Sequence, residues 1–217
     1  MHTNKDLYLQ EKERFLGLVD EVLQTMKELD PSLEDIQTKD CMYRFNKDIR
    51  FSKDKSPYKT HFGAFICIGG RKSPLPGYYL HIEPGNKAGI GGGSWCPDSQ
   101  QKNSIKYHIL KNFDQRKEIT QNSDFLKYFW AIDEKDKVQL ERRIKSPQSK
   151  QILEQLWKTR SKTILTTPEM MEVFLYNKRC VRHPLSDKEV VSNNITNIFI
   201  KGFKKMKPFN DFLFKGF

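Results

Sequence analysis

Apolar residues open the chain at helical spacing. Phe15, Leu18, Val19, Val22, Leu23, Met26 and Leu29 recur three and four apart, which predicts an amphipathic helix. Asp30-Pro31-Ser32 ends it, because a residue that precedes proline is pushed out of the helical region. From Leu33 to Trp95 the pattern shortens into runs of β-branched, aromatic and glycine residues. These predict strands near 42–47, 61–68, 78–83 and 88–95. The run G-G-R-K-S-P-L-P-G at 69–77 is a turn by composition and joins two apolar runs, so it predicts an antiparallel hairpin. Helical spacing returns after Pro97. One stripe is Ile105, Ile109, Leu110 and Phe113. A second, Phe125, Leu126, Phe129 and Trp130, lies behind the cap candidate Ser123, and a third is Ile152, Leu153, Leu156 and Trp157. Near the C-terminus, Ile195, Ile198, Phe199, Gly202, Phe203 and Met206 share a face, with Pro208 expected to stop or kink that helix. One antiparallel sheet with helices before and after it is an α+β arrangement, expected as a single domain over 1–217.

Strand alternation sorts the side chains. If Tyr78, Leu80 and Ile82 face the core, then Tyr79, His81 and Glu83 face the other way. By the same alternation Arg44 and Asn46 oppose Tyr43 and Phe45, so Arg44, and His61 with it, is expected on the Tyr79 side. Tyr, His, Glu and Arg on one sheet face read as a binding groove or as a hydrogen-bonded network. His81 and Glu83 form an H-x-E pair, able to serve as general acid and base or as two metal ligands. A zinc site needs a third ligand, for which His61 is the nearby candidate while His108 and His183 lie in other elements. The reading assigns no metal and takes Tyr79, His81 and Glu83 as the candidate catalytic group.

Beside this face runs a basic segment, R-F-N-K-D-I-R-F-S-K-D-K-S-P-Y-K-T-H at 44–61. Arg44, Lys47, Arg50, Lys53, Lys55 and Lys59 are opposed there only by Asp48 and Asp54. Guanidinium forks, ammonium charges and hydroxyls together suit a phosphate or carboxylate. The candidate ligand-binding set is Arg44, Arg50, Ser52, Lys53, Lys55, Tyr58, Lys59, His61 and Arg71. The arginines are its expected core and the lysines an electrostatic surround.

Composition adds direction without naming chemistry. The chain has 217 residues and a net charge of +11, from 38 basic and 27 acidic side chains, which favours an acidic partner such as a phosphorylated metabolite or nucleic acid. No run approaches a membrane span, and the opening residues do not read as a secretory leader. Cys41, Cys67, Cys96 and Cys180 have no C-x-x-C spacing and are expected reduced and buried, in a cytoplasmic protein. The glycine run at 89–93 is no P-loop, since no G-K-S/T follows and no helix opens on it; such glycines let a backbone or ligand approach closely. Trp95 beside it is expected in the core. No nucleophile elbow is present, and the residues name no cofactor and no oligomeric state.

Several long motifs are similar to one family. R-F-N-K-D-I-R-F-S-K-D-K-S-P-Y-K-T-H-F-G-A at 44–64, G-G-R-K-S-P-L-P-G-Y-Y-L-H-I-E-P-G at 69–85 and G-G-G at 91–93 resemble the domain of unknown function 2461. H-P-L-S-D-K-E-V at 183–190 and K-P-F-N-D-F-L at 207–213 extend the resemblance, which weakens over about 114–176. At the opening only Tyr8–Phe15 is similar. The resemblance implies an α+β domain found in bacteria and some fungi, and it carries over no activity, cofactor or catalytic residue. The expectation is a binding module for an anionic ligand. An enzyme acting on a phosphorylated or carboxylated molecule and a protein-interaction scaffold are the alternatives.

Overall fold

A computed structural model describes residues 5–47, 50, 55–129 and 179–217. The chain enters through α1 (Lys5–Leu29), whose buried stripe is Phe15, Val19, Val22, Leu23 and Met26. The helix stops at Asp30 ahead of a single 3-10 turn at Pro31–Leu33, as the proline dictates. A short α2 (Thr38–Cys41) follows.

Among the described residues the sheet has four strands in the spatial order β1 (Phe62–Ile66), β2 (Gly77–Ile82), β3 (Gly89–Gly93) and β4 (Cys180–Pro184). Every neighbouring pair is antiparallel. Ala64, Leu80 and Ile90 lie side by side on the inner face, as do Ile66, Tyr78 and Gly92. Leu80, Ala64, Ile66 and Ile90 are fully buried, as the alternation predicts, and Tyr78 is nearly so.

Helices α3 (Ser99–Lys111), α4 (Phe113–Gln121) and α5 (Ser123–Tyr128) lie between β3 and β4 in sequence. Asp98 and Gln101 form a capping box on α3, each side chain satisfying the other residue's backbone N–H. On α5 the cap is Asn122, not Ser123, and its carbonyl oxygen accepts from the N–H groups of Asp124 and Phe125. After β4 come α6 (Asp187–Val190) and α7 (Ile195–Phe214).

Helices α1 and α7 touch each other and cover the inner face of the sheet. The Tyr78 ring lies 5.1 Å from that of Phe203, and Asn210 donates from Nδ2 to the Gly77 carbonyl at 3.0 Å. Phe199, Phe203 and Met206 are fully buried. Each such side chain contributes about 1.5–3 kcal/mol by leaving water. The two layers approach closely where Gly92 faces Met206.

Four expectations change. The helix runs through Pro208, which is exposed, while Phe203, Met206, Phe209 and Leu213 keep the buried face continuous on either side of it. The stretch near 42–47 is not a strand; it carries the isolated bridges Met42–Ala64 and Asn46–Tyr58. Trp95 is 74% exposed because the chain turns outward after Gly93, whose φ is +109°. Cys96 is exposed and Cys180 half-buried, whereas Cys41 and Cys67 are buried, and all four are free thiols. The strand β4 has no counterpart among the expected elements. Trp130 and the stripe Ile152, Leu153, Leu156 and Trp157 lie outside the described residues. No described helix is long and apolar enough to cross a membrane.

Candidate functional site

The outer face of the sheet is polar because β2 alternates. Tyr79 and His81 point away from the core that Tyr78 and Leu80 enter. Their neighbours across the ladders are mostly short: His81 stands between Gly63 on β1 and Gly89 on β3, and Tyr79 stands between Phe65 on β1 and Gly91 on β3. Larger groups occupy the space those glycines leave. A Cβ on Gly63 would lie 2.9 Å from the Tyr79 hydroxyl, and one on Gly89 would lie 3.0 Å from Arg182 Nε. The glycines thus let Tyr79 and Arg182 lie across the sheet beside His81.

A file of hydrogen bonds follows. The Tyr79 hydroxyl is 3.0 Å from His81 Nδ1, and His81 Nε2 is 3.0 Å from Glu83 Oε2. Thr60 donates its hydroxyl to the other carboxylate oxygen, Oε1, at 2.7 Å. Lys87 stands 3.9 Å from that oxygen. The Thr60 and His81 hydrogen bonds hold the Glu83 carboxyl below its usual range. An ionised Glu83 only accepts, so in the neutral imidazole Nε2 carries the hydrogen and Nδ1 accepts from Tyr79. Burial pushes the Tyr79 phenol up, with Glu83 adding to the shift and Arg182 opposing it.

His61 joins from the residue before β1. Its ring centroid is 4.4 Å from that of His81. Burial first, then His81 and Lys59, hold its imidazole below the ordinary value, with Glu83 opposing. His61, His81 and Glu83 each offer one ligand atom, and those atoms all lie within 4.8 Å of one another. The side chains of His81 and Glu83 are 14% and 17% exposed, so the group is reachable from outside yet largely shielded.

The basic segment folds back on itself. Lys47 N–H donates to the Pro57 carbonyl at 2.9 Å and Lys59 N–H to the Phe45 carbonyl at 3.0 Å. Phe45 anchors the pair, with ring centroids 5.5 Å from both Tyr58 and Phe62. Tyr58 is therefore part of the aromatic anchor. Tyr43 is the residue of this arm whose ring meets Tyr79, at 6.3 Å, and Lys59 Nζ stands 5.5 Å over the Tyr43 ring. Burial and then the Arg44 charge hold the Lys59 ammonium below its usual value. Arg44, Arg50 and Lys55 are exposed, and Ser52 and Lys53 lie outside the described residues. Arg71 serves the backbone: its Nη1 donates to the carbonyls of Lys39 and Asp40 at 3.3 and 3.1 Å.

The structure thus gathers Tyr79, His81, Glu83 and His61 from the expected set, with Lys59 at the edge. It adds Thr60, Tyr43 and Arg182. Thr60 precedes His61 in the basic run, so the hydroxyl-rich composition of that run was its signal. Arg182 had none, because β4 was not foreseen. His183, by contrast, pairs across from Ile90, stacks on Tyr128 at 4.0 Å and lies away from this group.

Fold and site together define a class: an α+β protein whose antiparallel sheet is covered by helices on one face and carries a Tyr-His-Glu group with a second histidine on the other. The chain belongs to the family described as conserved hypothetical protein (DUF2461), whose model matches residues 1–212. No curated protein and no solved structure matches it.

Proposed function

We propose that the chain binds a small phosphorylated or carboxylated ligand on the outer face of the sheet, against Tyr79 and the two histidines. One observation carries the reading. Two cations reach this face from opposite sides: Lys59, whose Nζ lies over the Tyr43 ring that meets Tyr79, and Arg182 of β4, whose guanidinium lies over Gly89 beside His81. Arg44 adds charge behind Lys59. A guanidinium and an ammonium around half-shielded imidazoles are charged donors of the kind an oxyanion takes, and Arg182 Nη2 also donates to the Lys87 carbonyl at 2.7 Å. The net charge of +11 favours the approach of such a ligand.

Equilibrium binding of inorganic phosphate, pyrophosphate and small carboxylates tests the reading. Lys59→Ala and Arg182→Ala each weaken binding roughly 10- to 100-fold, the range for losing a charged hydrogen bond. Lys207→Ala, which breaks only an exposed pair with Asp211, leaves it unchanged. Binding that ignores both site substitutions refutes the proposal. Short DNA and RNA strands are the macromolecular arm: affinity that falls steeply with salt identifies a polyanion, and a flat response removes it.

A second reading is favoured by the hydrogen-bond file itself. Glu83 orients His81, and His81 faces the Tyr79 hydroxyl, so the file can move a proton at a bound substrate. Turnover of phosphorylated or carboxylated molecules that disappears in His81→Ala and Glu83→Gln supports an enzyme. Turnover indifferent to both substitutions removes these residues from the chemistry.

A further inference from the structure

The fold supplies the third ligand that the H-x-E pair lacks. Pairing of Phe62 with Ile82 and of Gly63 with His81 carries the chain backward so that His61 comes alongside Glu83. We propose that His61, His81 and Glu83 hold one divalent first-row metal ion such as zinc, through a ring nitrogen of His61, His81 Nε2 and Glu83 Oε2. The inference uses the same face as the anion-binding reading and deepens it, since a metal with three protein ligands keeps a position open for water or an anionic oxygen.

The allocation of the remaining atoms argues for this set. Glu83 Oε1 is taken by Thr60 at 2.7 Å, which leaves Oε2. His81 Nδ1 is taken by Tyr79 at 3.0 Å, which leaves Nε2. Those two remaining atoms are hydrogen-bonded only to each other among the bonds described, at 3.0 Å. Ligand atoms on a tetrahedral ion with bonds of about 2.0–2.1 Å stand roughly 3.3 Å apart. The widest separation in the cluster is within 4.8 Å, so a closure of at most about 1.5 Å completes it.

The ion takes the place of the hydrogen between Nε2 and Oε2. That hydrogen moves to Nδ1, so the imidazole stays neutral and the proton count is unchanged. Tyr79 then turns from donor to acceptor. A ligating histidine that donates its other N–H to an oxygen, and a ligating carboxylate held by a hydroxyl, are the supports that metal sites use. Two imidazoles and a single carboxylate oxygen favour zinc, cobalt or iron over calcium and magnesium, which take oxygen ligands.

The test uses the full, untagged chain after treatment with chelator, titrated with Co2+ alone and then with Zn2+ as competitor. The expected result is one Co2+ per chain with visible d–d bands, displaced by Zn2+, and no thiolate charge-transfer band, which excludes the exposed Cys96. His81→Ala, Glu83→Gln and His61→Ala abolish the bands. His61→Gln does the same with a side chain closer in size, should His61→Ala fail to fold. Tyr79→Phe keeps the bands and loses about 10- to 100-fold in affinity. His108→Ala, on α3, changes nothing. Absence of one-to-one uptake, or bands that survive in His81→Ala and His61→Gln, overturns the proposal. Phosphate binding measured in the metal-free protein separates the two readings. Phosphate binding without cobalt uptake defeats the metal alone, and cobalt uptake without phosphate binding to either form defeats the anion reading alone.

Discussion

Gly92→Ala tests a close approach between the helical layer and the sheet. The added methyl overlaps Met206 Sδ and lies 2.5 Å from the Gly77 carbonyl oxygen and 3.2 Å from Met206 Cε. Met206 is long and flexible and can swing away, but Gly77 belongs to the neighbouring strand and its carbonyl cannot move without the ladder. Alanine gains about 0.4–1 kcal/mol by restricting the unfolded chain. Overpacking costs about 1–3 kcal/mol, and a backbone clash sits at the upper end of that range. The net loss is thus about 2 kcal/mol, or roughly 4–8 °C in Tm for a chain of this size. Met206→Ala alone removes a fully buried side chain and costs about 2–5 kcal/mol. In the Gly92→Ala background it costs less, because it also relieves an overlap, and the coupling is about 0.5–3 kcal/mol. Rescue stays incomplete, since the Gly77 clash persists. Urea unfolding followed by circular dichroism measures all four corners of the cycle. A Gly92→Ala protein as stable as the parent, or a strictly additive cycle, refutes the reasoning.

The thiols and a capping carboxylate give two more predictions. Burial pushes the Cys41 thiol up to about 12 and those of Cys67 and Cys180 up to about 11. At pH 8 their thiolate fractions are on the order of one in ten thousand for Cys41 and one in a thousand for the other two. Iodoacetamide followed by mass spectrometry therefore labels exposed Cys96 first; equal labelling of Cys41 in the folded protein contradicts the burial. The Ser186 hydroxyl and N–H, at 2.6 and 2.8 Å, hold the Glu189 carboxyl below its usual range. A depressed folded value stabilises above the unfolded value of about 4.3 and is lost as pH falls through the folded one. Glu189→Gln therefore costs about 1 kcal/mol at neutral pH, and the difference shrinks as pH falls below about 4. Urea midpoints at pH 7 and pH 3 measure it, and a difference that is constant with pH refutes the assignment.

Much of the fold was legible because periodicity is written directly into burial. The stripes from Phe15 to Met26 and from Phe199 to Met206 are buried where helical spacing places them. Tyr78 and Leu80 turn inward, so Tyr79 and His81 turn outward. The strand β4 was not legible: C-V-R-H-P is short, puts a charge on one face and a histidine on the other, and offers no apolar alternation. Trp95 misled because apolarity predicts burial, whereas a left-handed glycine decides where the chain goes next. The ranking of arginine above lysine in the basic segment rested on the apolar-aromatic stretches around Arg44 and Arg50. The structure has isolated bridges where a strand was expected at 42–47, and there Tyr43 meets Tyr79 and Lys59 lies at the edge of the group. Charge also hides its partner, and Arg71 spends part of its guanidinium on two backbone carbonyls.

The glycine run at 89–93 joins these observations. Its sequence, G-I-G-G-G, invites a phosphate-loop reading, yet it forms a strand paired on both sides. Side chains alternate across a strand, so its glycines serve two faces at once. Inward, Gly92 admits Met206 and brings α7 down onto the sheet. Outward, Gly89 and Gly91 leave room beside His81 and Tyr79, and Arg182 reaches across from β4 to fill part of it. Gly63 does the same from β1, where the Tyr79 hydroxyl lies over it. A β2 flanked by ordinary β-branched neighbours would crowd Tyr79 and His81 upright, and the file from phenol to imidazole to carboxylate could not lie along the sheet. The glycines need not touch a ligand to matter: they bring the groups that could hold one to hydrogen-bonding distance of each other.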